Sequence, residues 1–248
     1  MSISKNSAKL IRALHLKKYR KEQNLFLVEG EKSIVELVPS DFNIISLYIT
    51  QEVFDKYKNL FSKLTSKITL STPEELTKLS SLEFNDTGIA VVEQKPNKDI
   101  DSIKDEIVLV LDDIKDPGNL GTIIRTADWY GITKIVCSET TAEFYNNKVI
   151  AASMGSFTRV EVFYTELGQF LRDTKIPVLG AYLDGQDVHN YTYPKSGILL
   201  MGSESNGISQ SLENYVTNKI TIPKYGNAES LNVSIATSII LDNWKRSL

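Results

Sequence analysis

The sequence predicts an α/β protein built around a parallel sheet, with a smaller α/β unit ahead of it. Three observations carry that expectation. Short β-branched runs alternate with amphipathic segments along nearly the whole chain, the pattern of strand and helix units. Among the later runs, IVLVL at 107–111 is apolar without interruption, as a strand covered on both faces must be. Polar loops containing glycine follow such runs, and open parallel sheets carry ligand sites at the carboxyl ends of their strands.

The first element is expected at 5–21, a helix with Leu10, Ile11 and Leu14 on one face. Its other faces hold Lys5, Lys9, Arg12, Lys17, Lys18, Arg20 and Lys21, with no acid among them. Such a run has two readings, a solvated face or a surface that meets phosphates. FLVEGEKSIVELV at 26–38 passes from strand to amphipathic helix. ISLYIT (45–50), KITL (67–70) and GIAVVEQ (88–94) read as strands, and 51–61 as helix. Thr72-Pro73-Glu74-Glu75 has the form of a helix start, with Thr as cap, Pro first and Glu third. These elements make a first domain of residues 1–94. Periodicity is lost over KPNKDIDSIK, so 95–104 is the expected linker.

In the second domain, 105–248, strands are expected at 107–114, 134–138, 160–164, 178–183 and 197–202. Helices are expected after the KDPGNLG loop and over 143–153, with another running from a Thr165 cap to about residue 173. The last strand ends at Pro223. Beyond a polar loop, Ser230 opens an apolar segment with Leu231, Ile235 and Ile239 four apart. There is no internal repeat and no low-complexity segment.

Composition narrows the function. The 248 residues are 42% apolar and 24% charged, ordinary for a globular protein. No apolar run approaches the roughly 18 residues of a membrane span. The N-terminal stretch has no uninterrupted apolar core or cleavage site of a secretory signal, so the cytoplasm is the expected compartment. One cysteine, Cys137, and two histidines, His15 and His189, argue against a disulfide framework and a metal site. The net charge of −3 conceals a division: residues 1–104 hold 16 Lys+Arg against 14 Asp+Glu, the remainder 12 against 17.

Three loops could carry chemistry. Asp113 to Gly121, with Asn119, enters a helix that holds Arg125. It is neither GxGxxG nor a phosphate loop ending in GK[ST], so ordinary dinucleotide and ATP sites fit poorly. Leu200-Met201-Gly202-Ser203-Glu204-Ser205-Asn206-Gly207 sets a carboxylate between glycines at a strand end; it is not the GxSxG of a hydrolase. ITIPKYGNAESLNVSIATSIIL at 220–241 brings Asn227, Glu229, Ser230 and Asn232 to a helix N-terminus.

In this order and spacing, DPGNLGTIIRTADWYG, LLMGSESNGIS and IPKYGNAESLNVSIATSI resemble the three signature motifs of the SpoU (TrmH-like) RNA ribose 2′-O-methyltransferases of the SPOUT superfamily. The resemblance covers about residues 107–245. FLVEGEKSIVEL makes the first domain similar, more loosely, to that family's substrate-binding domain, which resembles RNA-binding ribosomal proteins.

The resemblance implies a parallel sheet closed by a C-terminal trefoil knot, a homodimer, and S-adenosylmethionine as cofactor. By motif position it implies cofactor contacts from Gly202, Ile222 and Leu231 through backbone groups, with Leu200 and Met201 as apolar neighbours. It implies Arg125 as the catalytic arginine, Asn119 as its companion, Glu204 as the acid of the second motif, and Ser230 and Asn232 as the polar pair of the third. None of these positions departs from the pattern. The substrate it implies is RNA, 23S-type rRNA ahead of tRNA, and Lys17, Lys18, Arg20 and Lys21 become candidate phosphate contacts. Two other classes compete: a non-catalytic RNA-binding or ribosome-assembly factor with the same fold, and a small-molecule hydrolase.

Overall fold

A computed structural model describes residues 3–98, 100, 103 and 105–248. Asp99, Asp101, Ser102 and Lys104, all within the expected linker, lie outside the described residues. The chain forms two compact units, one of residues 1–96 and 143–158, the other of 97–142 and 159–248. The second domain expected at 105–248 is therefore interrupted, because 143–158 packs with the first unit.

The first unit begins with two helices, α1 (Lys5–Leu14) and α2 (Lys17–Gln23), where the sequence suggested one. Leu16 is extended between them, and the buried Arg20 shows why the helix breaks there. Its Nη1 donates to the carbonyls of Leu14 at 3.0 Å and His15 at 2.9 Å, satisfying acceptors at the end of α1. Its Nη2 and Nε donate to the Glu143 carboxylate, the former at 2.7 Å. A sheet of order β1-β4-β2-β3 follows from β1 (Leu25–Glu29), β2 (Ile44–Ile49), β3 (Ile68–Leu70) and β4 (Gly88–Glu93). Only β2 and β3 run parallel.

Helices α3 (Glu31–Leu37), α4 (Gln51–Lys56) and α5 (Pro73–Thr77) connect these strands. The Thr72–Glu75 capping box forms as the sequence predicts. The helix expected over 51–61 stops at Lys56, and a 3₁₀ segment takes up Leu60–Lys67. Helix α7 (Asn147–Ser153) belongs to this unit through its surroundings. Phe26, fully buried, meets Tyr145 at a ring-centroid distance of 4.6 Å and Phe157 edge-on at 6.2 Å. Asn147 Nδ2 lies 2.7 Å from His15 Nδ1.

The second unit is a six-stranded sheet of order β10-β8-β9-β5-β6-β7, every pairing parallel. Its strands are β5 (Ile107–Leu111), β6 (Lys134–Cys137), β7 (Glu161–Tyr164), β8 (Val178–Asp187), β9 (Gly197–Met201) and β10 (Asn218–Thr221). All five residues of both β5 and β9 are buried, which explains their unbroken apolar sequences. Helix α8 (Leu167–Asp173) is capped by Glu166, whose carboxylate accepts from Gly168 N and Gln169 N, and not by Thr165. The longer acidic side chain reaches two orphan donors at once.

Helix α6 (Pro117–Trp129) packs on the C-terminal helix α9 (Val233–Arg246). Thr126 and Ser238 hydroxyls meet at 3.3 Å between them, and Tyr130 Oη donates to Asp242 at 3.3 Å. The buried face of α9 is Val233, Thr237, Ile240, Leu241 and Trp244. Leu231, Ile235 and Ile239 are not that face: Leu231 precedes the helix, and it and Ile235 are about half exposed. Both stripes repeat at helical spacing, so periodicity alone does not say which one is buried. Trp244, fully buried, fixes the helix by donating Nε1–H to Pro194 O at 2.8 Å. No helix among the described residues is long and apolar enough to cross a membrane.

Candidate functional site

Three loops at the carboxyl ends of β5, β9 and β10 build the site. After β5, Asp116 caps α6 by accepting Asn119 N–H at 2.8 Å, with Pro117 at the first helical position. That cap places Asn119 in the first turn, where its side chain faces the next loop. Arg125 lies further along α6 with an exposed side chain and no hydrogen bond or ion pair among the described residues. A guanidinium with no partner among the described residues is free to take an anion.

The loop after β9 turns back on itself. Ser203 and Gly207 exchange both backbone hydrogen bonds, at 3.1 and 2.9 Å, with Gly207 at φ +67°. A Cβ at Gly202 would lie 2.0 Å from the Gly207 carbonyl carbon, so no other residue fits there without opening the turn. Buried Asp112 secures the far end, accepting Ser209 N–H at 2.7 Å. Glu204 is thus presented on a fixed, solvent-facing turn.

The third loop is unlike the others. Residues 222–231 make no hydrogen bond or ion pair within the chain, backbone or side chain, among the described residues. Backbone groups in a folded protein seldom go without partners, so ten such residues in a row leave a surface of donors and acceptors for something else. The helix then starts at Val233, not Ser230, because Asn232 is its cap: Asn232 Oδ1 accepts from Ser234 N at 2.9 Å and Ser234 Oγ at 2.6 Å.

The loops converge on Asn119. Its Nδ2 donates to the Glu204 carboxylate, and its Oδ1 accepts from Asn232 Nδ2 at 2.9 Å. One amide therefore ties all three loops in a chain, Glu204–Asn119–Asn232–Ser234. Ser230 stands at the rim, exposed and unbonded.

A cavity of about 670 Å³ opens beside this chain. Met201, Gly202, Glu204, Ile222, Ser230 and Leu231 line it, so most of the expected cofactor-binding positions come together there. Leu200 does not line it. It is fully buried with Val108, Val110 and Ile198, since neighbours on a strand point to opposite faces. Ile220, Val233 and Ile240 give apolar walls, and among the described residues the lining holds the acids Asp184, Glu204, Glu213 and Glu229 with Lys224 as its cation. Such a lining suits a largely apolar ligand that carries positive charge. Asp112, Asp184, Glu213 and Ser234 were missed in the sequence. Asp184 and Glu213 lie outside all three motifs, and only the strand order brings them in.

Of the candidate phosphate contacts in the first unit, Lys17, Lys18 and Lys21 are exposed. Arg20 is corrected: it is buried and committed to Glu143 and two helix-end carbonyls, so it offers nothing to a phosphate. No group of three or more His, Cys, Asp or Glu that could hold a metal occurs among the described residues.

Comparison with known proteins agrees with this geometry. Residues 106–242 match the SpoU rRNA Methylase family, and residues 5–90 match the MRM3-like substrate binding domain. A 23S rRNA (guanosine(2553)-2′-O)-methyltransferase, RlmP of Bacillus subtilis (strain 168), is 30% identical over 92% of this chain and 91% of its own length. A 23S rRNA (uridine(2479)-2′-O)-methyltransferase of Streptomyces viridochromogenes is 27% identical over 87% and 80%. Among solved structures, an AdoMet-bound rRNA methyltransferase from Sinorhizobium meliloti superposes with a TM-score of 0.88 at 28% identity, covering 100% of this chain and 98% of that one. With the motif loops joined as described and more than half its length matched, the chain belongs to the SpoU rRNA methylase family.

Proposed function

We propose that the protein transfers a methyl group from S-adenosylmethionine to a ribose 2′-hydroxyl of 23S-type rRNA. The observation that carries this is the Asn119 junction, which assembles the three motif loops at the mouth of a cavity. The residues fit the cofactor: apolar walls for its adenosine, an acid-rich rim for its cationic end, and unbonded backbone at Ile222 and Leu231 to grip it. Bound there, S-adenosylmethionine supplies an electrophilic methyl group.

The chain's own residues position and stabilise. Holding a hydroxyl in line with its electrophile supplies much of the rate without any covalent intermediate. Arg125 acts by holding an RNA phosphate beside the attacking hydroxyl, and that phosphate or water takes the proton. Glu204 and Asn232, fixed through Asn119, orient the ribose, and Ser230 reaches the same opening. Arg125→Ala should abolish methyl transfer to rRNA while leaving cofactor affinity nearly intact by calorimetry. Wild-type turnover in that variant would remove Arg125 from the mechanism.

The rest of the reading follows the family. The loops after β9 and β10 form a trefoil knot around the cofactor, and the protein works in the cytoplasm as a homodimer. Exposed Trp129 on α6 and Ile235 on α9, 84% and 51% accessible, support an apolar pairing surface on these packed helices. Sedimentation of the wild type as a monomer would dismiss it. The first unit grips the RNA, with Lys17, Lys18 and Lys21 as phosphate contacts, and the larger rRNA gives it more to hold than tRNA does. The free Arg125 and intact motif set speak against a non-catalytic assembly factor, which would show no S-adenosylmethionine binding.

A further inference from the structure

The loop between β10 and α9 holds an aromatic side chain that nothing in the site yet uses. Tyr225 is 93% exposed, sits in the segment that makes no hydrogen bond among the described residues, and borders the same cavity as Glu204. A single exposed aromatic is ordinary on a protein surface. Here three further features surround it. Lys224 and Asn227 are exposed and unbonded beside it. Gly226 has nothing within 4 Å of where a Cβ would stand, so the space at the loop tip is open. Glu204, on the opposite loop, lines the cavity that the tip overlooks.

The chemistry proposed above needs a ribose at that cavity, and a nucleotide drawn into a protein site is pulled away from its stacked neighbours. An aromatic face beside the opening replaces the lost stacking, and a lysine next to it meets the adjoining phosphate. We infer that Tyr225 is the platform on which a base of the RNA substrate stacks while its ribose enters the cavity. The inference rests on the function proposed above. RNA is favoured over a second copy of the chain as occupant because Lys224, Gly226 and Asn227 make the tip polar, whereas the exposed apolar Trp129 and Ile235 lie on helices. Every base has a stacking face, so Tyr225 adds RNA affinity without choosing the base.

The test compares Tyr225→Ala, Tyr225→Phe and Tyr225→Trp in the full chain. Tritiated S-adenosylmethionine and unmodified 23S rRNA transcript give steady-state kinetics, calorimetry with S-adenosylhomocysteine gives the cofactor site, and sedimentation gives the oligomeric state. The Ala variant should raise KM for RNA about tenfold, the order expected for one lost base–aromatic stack. Its cofactor affinity and sedimentation should match the wild type, and Phe and Trp should restore KM. A wild-type KM in Tyr225→Ala overturns the inference. So does a Phe variant as poor as Ala, which would assign the role to the hydroxyl, or a change in oligomeric state, which would make the occupant a second copy. A wild-type protein that methylates no RNA overturns the function reading itself, and this assignment with it.

Discussion

Asn119 accepts a hydrogen bond from Asn232 at 2.9 Å across 113 residues of sequence, and with its other amide atom donates to Glu204. Each half of the amide holds a different loop. This junction makes one site of three loops, and it exposes the account to mutation.

Asn119→Ala leaves Glu204 and Asn232 without their shared partner. Both bonds are exposed to solvent, so each contributes about 0.5–1.5 kcal/mol of positioning. The expected outcome is a fall in kcat for rRNA of roughly 2- to 10-fold. Cofactor affinity should change far less, because Asn119 itself is not part of the cavity lining. Asn119→Asp should be the poorer of the two at neutral pH, since it sets a second carboxylate against Glu204. Steady-state kinetics on both variants decide it, and an Asp variant more active than Ala would refute the role given to the amide.

Arg20 predicts stability and not RNA affinity. Its side chain is 2% exposed and that of Glu143 14%, and truncation strands the carboxylate and two helix-end carbonyls. Breaking a buried pair from one side costs about 3–5 kcal/mol. Arg20→Ala should show that loss in urea unfolding, and Arg20→Lys should not rescue it, since an ammonium cannot reproduce the planar fork. A variant within about 0.5 kcal/mol of wild type, the usual range for surface positions, would return Arg20 to the surface.

Much of this was legible in the sequence, and the failures have a common cause. The Thr72 capping box, the buried β5 and β9 runs and the three motif loops are local patterns, and each formed where its residues predicted. The break between α1 and α2, by contrast, depends on Arg20 reaching both Glu143 and the end of α1. The placement of residues 143–158 depends on Phe26 meeting Tyr145 and Phe157, far away in sequence. The buried stripe of α9 depends on α6 and the sheet. Neither Asp184 nor Glu213 has a local signal at all, because only the order β10-β8-β9 brings them to the cavity. The motif resemblance named the candidate residues; the hydrogen-bond chain that joins three of them was visible only in three dimensions.

The basic stretch in the first unit gives a salt-dependence prediction. Neutralising Lys17, Lys18 and Lys21 together removes three exposed cations. If each meets a phosphate, the slope of log affinity against log salt should flatten by about 2 to 3. Filter binding of rRNA across a salt series measures it, and an unchanged slope would make α2 a solvated face.

Methyl transfer to a ribose oxygen is read most directly from the product nucleoside. Purified protein is incubated with unmodified 23S rRNA and isotopically labelled S-adenosylmethionine, and the RNA is digested to nucleosides and resolved by mass spectrometry. Label is expected in a single 2′-O-methylnucleoside, and none with Arg125→Ala. Label on a base, or no label although the cofactor binds, would contradict transfer to a ribose oxygen.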